Sequence, residues 1–271
     1  MIRDEKLIVF AKTPRAGTVK TRLAESIGEA AAGDAYRLLV DTLLRRIERL
    51  VHVELRITPD DGITEAHQWL RRTWLTLPQG PGNLGERLQR AFEAAFVEGT
   101  RRAVVIGSDC PYVTPEDIEA AWLALTTNDL VLGPSTDGGY WLIGLSALQP
   151  SLFDDIPWST DRVFQETLSR AKNAGLRVHR LRELTDVDTE PQWREFIRSE
   201  KHPRPLPTVP RNVRRPTANR PRLTRAKAAR GTTREPSDTR PLHRGGSKQS
   251  TAVSSSRSNK PHPKQWRPER T

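Results

Sequence analysis

The sequence predicts an α/β domain with a mostly parallel central sheet and helices on both faces. Three observations carry that prediction. Short, continuously apolar runs such as Leu7-Ile8-Val9-Phe10-Ala11 and Ala103-Val104-Val105-Ile106-Gly107 have the pattern of strands buried on both sides. Amphipathic helical stripes stand between such runs. Polar and acidic clusters follow the runs, and open parallel sheets bind ligands beyond the carboxyl ends of their strands.

The first strand covers residues 7–11 and ends in a loop bearing Pro and Gly. Over 29–50, Ala32, Tyr36, Leu39, Val40, Leu43, Leu44 and Ile47 recur at helical spacing and lay one apolar stripe along a long helix. Residues 53–58 alternate as a strand, 64–72 are expected to be helical, and 74–78 return to a short strand. Leu84, Leu88, Phe92, Ala95 and Phe96 form a second stripe leading into the strand at 103–107.

Thr114-Pro115-Glu116-Asp117 opens the next helix, to about Leu125, with a capping hydroxyl, a first-position proline and acids in the first turn. Residues 130–133 and 140–145 are strands around a tight loop. Residues 160–174 are helical, 177–184 a strand, and 190–198 a closing helix.

Composition divides the chain near Ser199. Residues 1–199 hold 25 Lys and Arg against 29 Asp and Glu, whereas 200–271 hold 19 basic and 4 acidic residues, so the net +11 comes wholly from the tail. The expected organisation is a folded domain at 1–199 and a disordered Pro-, Arg- and Ser-rich tail at 200–271, too poor in large apolar side chains to offset its ordering entropy. The lone Cys110 leaves no disulfide framework or Cys cluster for zinc. No signal-peptide pattern or membrane span is read, so a cytoplasmic enzyme without membrane contact is expected.

Four clusters at predicted strand ends carry candidate chemistry. Residues 12–22 bring Lys12, Arg15, Lys20 and Arg22 around Gly17, cations placed to neutralise phosphate oxygens. The stretch also reads as a solvated basic turn, and it lacks the Walker A pattern. Gly107-Ser108-Asp109-Cys110-Pro111 puts a carboxylate after the most apolar strand, as a divalent-metal ligand or as a turn cap. Asp137-Gly138-Gly139-Tyr140 is either a close ligand contact or a hairpin turn. Thr185-Asp186-Val187-Asp188-Thr189 supplies a second metal-ligand candidate, Asp188, supported by Asp186, or an ordinary helix cap.

A fifth loop, residues 79–88, offers Asn83, Gly85 and Arg87 to a base or ribose, or else forms a helix N-terminus. Trp158, before Ser159 and Thr160, is an acceptor wall or a core residue beside a cap. His52, His67 and His179 show no metal-ligand spacing.

Taken in order, FAKTPRAGTVKTRL, QGPGNLGERL, GSDCP, GPSTDGGYWLIGL, PWST and LTDVDT resemble the DUF2064 family, also described as rSAM/selenodomain-associated transferase 1, over nearly all of 6–198. The resemblance implies a Rossmann-like GT-A fold, that of the nucleotide-diphospho-sugar transferases, and kinship with guanylyltransferases. It implies phosphate binding by Lys12, Lys20 and Arg22, Mg²⁺ or Mn²⁺ on Asp109 and Asp188, and Asp137 near the sugar or acceptor. Two departures stand out: Asn83 occupies a position where Asp is expected, and Ser108-Asp109-Cys110 is a degenerate Asp-x-Asp.

The leading expectation is a metal-dependent glycosyltransferase acting on a nucleotide sugar and a small-molecule acceptor, with Asp137 and Asp109 as catalytic residues and Gly138, Gly139, Tyr140 and Trp158 facing the acceptor. The alternative is a nucleotidyltransferase releasing pyrophosphate from an NTP. A third reading is a non-catalytic nucleotide-binding protein whose tail contacts nucleic acid nonspecifically. Oligomeric state is not legible.

Overall fold

The computed structural model describes residues 4–71 and 73–201. The tail expected at 200–271 lies, beyond Lys201, outside the described residues. The strands are β1 (Glu5–Lys12), β2 (Val53–Thr58), β3 (Leu75–Pro78), β4 (Arg102–Gly107), β5 (Leu130–Pro134), β6 (Tyr140–Leu145) and β7 (Val178–Arg180). They form one sheet in the order β3-β2-β1-β4-β6-β5-β7.

β1 pairs in parallel with β2 and β4, and β2 with β3. β6 is the exception, running antiparallel to both β4 and β5, while β5 pairs in parallel with β7. The expected mostly parallel sheet is therefore present with one strand reversed. The loop between β5 and β6 returns the chain to the edge where the parallel strands end.

The helices are α1 (Thr21–Ile27), α2 (Glu29–Arg46), α3 (Ile63–Ala66), α4 (Leu84–Val97), α5 (Pro115–Ala124), α6 (Val163–Asn173) and α7 (Glu190–Lys201). The alternation of β1 divides the core. Leu7, Val9 and Ala11 pack with Tyr36, Val40 and Leu43 of α2 and Ile118 and Trp122 of α5. Ile8 and Phe10 pack on the other face with Leu88, Ala91 and Phe92 of α4 and Phe164 of α6. Both faces are thus covered, which is why β1 and β4 carry no polar alternation through their centres.

Four elements differ from the sequence expectation. α1 lies inside the segment read as a loop; with Leu23 its only buried residue, it leaves no apolar stripe to read. The helix expected over 64–72 is only α3, followed by a 3-10 turn at His67–Trp69 and an extended Leu70. The strand expected over 177–184 is three residues long, because only β5 is available to it at the sheet edge, with an isolated bridge from Leu184 to Ser135 beyond it. α6 starts three residues later than expected, since the Thr160 hydroxyl bonds back to the Pro157 carbonyl at 2.7 Å. Among the described residues no helix is long and apolar enough to cross a membrane.

Candidate active site

A cleft of about 690 Å³ opens along the edge where β1, β2 and β4 end and β6 begins. Its floor is fixed by Tyr36 of α2, whose buried hydroxyl accepts the Lys12 N–H at 2.8 Å and lies 2.8 Å from Ser108 Oγ. Burial first, and then the charge of Asp109, push that phenol's pKa well up, so it stays neutral. One helix thereby ties the end of β1, with its cations, to the end of β4, with Asp109.

The backbone of Lys20 is left-handed at φ 51° and its carbonyl accepts the first bond of α1, from Ala24 at 2.8 Å. Its side chain turns inward, only 1% exposed, and Nζ lies 2.5 Å from Asp109 Oδ1 and 2.8 Å from Asp188 Oδ1. Burial alone would lower the pKa of this lysine. The charges and hydrogen bonds of Asp109 and Asp188 outweigh it and raise the pKa, so the ammonium remains charged.

Lys12 and Arg22 also line the cleft and make no ion pair among the described residues. Asp137 lines the mouth, with Oδ1 accepting the Gly139 N–H at 3.0 Å. Asp186 sits behind it, its pKa pushed up to about 7 by burial first and then by the charges of Asp109, Asp137 and Asp188. The Ser135 hydroxyl donates to it at 3.0 Å and opposes that rise. Gly139, Tyr140 and Trp158 complete this part of the wall.

Six residues expected at the site do not line the cleft. Arg15 is held by Asp61 at 3.1 Å and Glu65 at 2.5 Å, and so turns away. Gly17 shapes a turn before α1 on an exposed part of the loop. Asn83 caps α4, accepting the Glu86 N–H at 3.1 Å while Glu86 accepts its own N–H, so the helix-terminus reading of that loop is the one realised.

Arg87 braces the same loop, donating to the Gly82 carbonyl at 2.9 Å and Thr58 Oγ1 at 3.3 Å. Gly85 makes room for Trp158, whose Nε1 would lie 2.8 Å from a Cβ there. Gly138, at φ +87°, packs against the Asp161 carbonyl, which would sit 2.1 Å from a Cβ. These two glycines pack against the loop at 158–161 rather than lining the cleft.

Sequence reasoning missed Thr58 at the end of β2 and Asp161, both of which line the cleft. From the loop at 79–88 it is Gln79 and Leu84, not Asn83 or Arg87, that reach the wall. The Gln79 amide donates to the carbonyls of Ala11 and Arg56 at 3.1 and 3.0 Å, locking β1, β2 and the loop after β3 together. Asp161 follows the Trp158 motif closely and its acidity was the available signal.

The cleft thus holds three cations from one segment, Lys12, Lys20 and Arg22, facing five carboxylates, Asp109, Asp137, Asp161, Asp186 and Asp188. Such a surface can neutralise a small anionic group at one place and accept hydrogen bonds from donors at another.

The family model of uncharacterized proteins conserved in bacteria, DUF2064, matches residues 43–160. A phosphoenolpyruvate guanylyltransferase from Sphaerobacter thermophilus is 28% identical over 200 residues, 70% of this chain and 91% of that protein. A crystal structure of a candidate nucleotide-diphospho-sugar transferase from Desulfovibrio desulfuricans G20 is 33% identical, with a TM-score of 0.69 over 74% of this chain and 89% of that one. That similarity shows the α/β fold of this chain to be shared with that structure.

Proposed function

The chain belongs to the DUF2064 family and is a transferase of the nucleotide-diphospho-sugar transferase fold; from that premise we propose that it is a metal-dependent glycosyltransferase using a nucleotide-sugar donor. The observation that carries the reading is the convergence of Lys12, Lys20 and Arg22 with Asp109 and Asp188 on one cleft, from segments as far as 168 residues apart.

In this reading Lys12, Lys20 and Arg22 hold the diphosphate of the donor through charge-assisted hydrogen bonds. A divalent cation fits the carboxylates present. Oδ1 of Asp109 and of Asp188 both reach the Lys20 nitrogen, so two hard oxygen donors converge on one point, and both side chains are partly exposed to the cleft. Among the described residues no cluster of three or more ligating side chains exists. Two carboxylates completed by substrate phosphates is how Mg²⁺ is commonly held, whereas a self-sufficient protein cage would need more donors. When bound, Mg²⁺ or Mn²⁺ supplies stabilisation for the charge of the departing nucleoside diphosphate.

Asp137, exposed at the mouth, is the group proposed to take the proton from the attacking acceptor hydroxyl. Its hydrogen bond from Gly139 leaves Oδ2 available for that role. Asp186, with a pKa near 7, supports the site as a partly neutral carboxyl beside the charged ones. Trp158 and Tyr140 wall the acceptor region and exclude water from it.

The nucleotidyl alternative is favoured by the guanylyltransferase relative. There a phosphorylated substrate attacks the α-phosphate of an NTP and pyrophosphate leaves. The charge inventory supports glycosyl transfer over it. Three cations, one already facing two acids, suit a diphosphate and an uncharged sugar better than a triphosphate together with an anionic acceptor.

Product analysis tests the choice. Parallel incubations with Mn²⁺ and either UDP-, GDP- and ADP-sugars or the NTPs, each with a panel of small hydroxyl-bearing and phosphorylated acceptors and with water as the default acceptor, are expected to release free nucleoside diphosphate from a sugar nucleotide, read by ion-exchange chromatography. Release of pyrophosphate from an NTP, with no nucleoside diphosphate from any sugar nucleotide, overturns the glycosyl reading in favour of the alternative.

A further inference from the structure

The Lys20 ammonium occupies the gap between the two carboxylates assigned to the metal. It lies 2.5 Å from Asp109 Oδ1 and 2.8 Å from Asp188 Oδ1, at 1% exposure. A divalent ion between those oxygens and a lysine ammonium cannot share that gap, because two cations would be pressed together with their hydration removed. Lys20 must swing away for the ion to enter.

Its backbone is fixed for that swing. The left-handed φ of 51° at the start of α1 and the hydrogen bond from Ala24 N to its carbonyl hold the Cα in place, leaving the flexible four-carbon stem to move. An ammonium withdrawn from two carboxylates needs a new anionic partner, since a buried charge left without one is strongly disfavoured. A phosphate group entering the same cleft, lined by Lys12 and Arg22, is such a partner.

We infer that Lys20 keeps Asp109 and Asp188 closed to a divalent ion until a diphosphate draws its ammonium away, so that metal and nucleotide bind as a coupled pair. Lys20 is in this respect a positioning residue, exchanging two carboxylates for phosphate oxygens at the moment the ion takes its place. The inference rests on the proposed diphosphate reading of the cleft. Coupling of this kind is reciprocal, so each ligand must tighten the other by the same factor.

The test is Mn²⁺ binding to the full chain, followed by electron paramagnetic resonance of free Mn²⁺, with and without GDP or UDP. In the native protein the nucleotide that binds is expected to tighten Mn²⁺ by at least about tenfold, and Mn²⁺ to tighten that nucleotide equally. Lys20→Met keeps the stem without the charge. It is expected to bind Mn²⁺ without nucleotide about tenfold more tightly than the native chain, and to keep only the smaller coupling that comes from phosphate ligation of the ion.

Adding Asp109→Asn to Lys20→Met is expected to remove that gain. Native protein that binds Mn²⁺ equally well with and without a bound nucleotide overturns the inference, as does a folded Lys20→Met that gains nothing. If Lys20→Met fails to fold, Lys20→Gln, which also removes the charge and keeps most of the stem, takes its place in the same comparison. If no nucleoside diphosphate binds the native chain at all, the functional reading falls, and the Mn²⁺-only comparison of native and Lys20→Met still reports on the lysine.

Discussion

Tyr36 and Ser108 meet at 2.8 Å between their hydroxyls, and through this contact α2 fixes the end of β4 relative to the end of β1, whose Lys12 N–H the same phenol accepts. Both side chains are buried, and their hydroxyls are the polar contact at the base of the cleft. Removing that contact tests whether the floor supports the cleft. Tyr36→Phe strands the Ser108 hydroxyl and the Lys12 N–H, and it is expected to lower stability by about 1–3 kcal/mol. Urea denaturation of the variant checks this, together with a weakened response to nucleoside diphosphate.

Gly138→Ala is expected to be more disruptive than a loop substitution ordinarily is. The position has φ +87°, and a Cβ would lie 2.1 Å from the Asp161 carbonyl, a backbone atom that cannot rotate away. A destabilisation of about 1–3 kcal/mol follows from the strain alone, with a fall in transfer rate as the loop bearing Asp161 and Trp158 shifts. Denaturant midpoints and initial rates measured on the same preparations check both.

Arg15 and Arg22 separate by role although they are seven positions apart. Arg15 is bound to Asp61 and Glu65, whereas Arg22 lines the cleft. Arg22→Ala is expected to weaken nucleoside diphosphate binding by about tenfold, the worth of one charge-assisted contact. Arg15→Ala is expected to leave that affinity within about twofold, the surface pair contributing only to local stability. Isothermal titration of the two variants against the native chain distinguishes them.

A pH dependence arises at the sheet edge. Hydrogen bonds from the Arg177 side chain and backbone hold the Asp129 carboxyl down to about 2, below the ordinary carboxylate value of 3.8, and bracket β5 to β7. Because the folded pKa is depressed, the contribution is fully present above about pH 4. It is lost as the pH falls from there through 2. The pair is largely solvated, so its contribution is small. Native protein should exceed Asp129→Asn in stability at pH 7, and the difference should shrink as the pH falls below 4 and vanish only below about 2.

Much of this fold was legible in the sequence. β1 and β4 read directly as uninterrupted apolar runs, because burial on both faces leaves no polar alternation to confuse them. The antiparallel pairing of β5 with β6 was legible only through the hairpin-turn reading of 137–140; the insertion of β6 between β5 and β4 was not, since a run such as Tyr140-Trp141-Leu142-Ile143 carries apolarity but names no neighbour. α1 was missed because its seven residues bury only Leu23, too little to leave a periodic stripe.

The site was legible in its types more than its members. Asp109, Asp137 and Asp188 were readable as acids at strand ends, and all three line the cleft. Arg15 was not separable from Arg22 by sequence, because its partners Asp61 and Glu65 come from a segment about fifty residues away. The Lys20 bridge spans 168 residues to Asp188, a proximity set by sheet order rather than by any local pattern.

The central claim is that this cleft grips a nucleotide diphosphate with a divalent ion on Asp109. Its most direct measurement is thermal stability in the presence of NTPs and nucleotide sugars, with and without Mg²⁺ or Mn²⁺, for the native chain and Asp109→Asn. The account predicts that at least one nucleotide raises the melting temperature of the native protein only when metal is present, and that Asp109→Asn loses the effect. A native protein whose melting temperature responds to no nucleotide under any metal condition would contradict it.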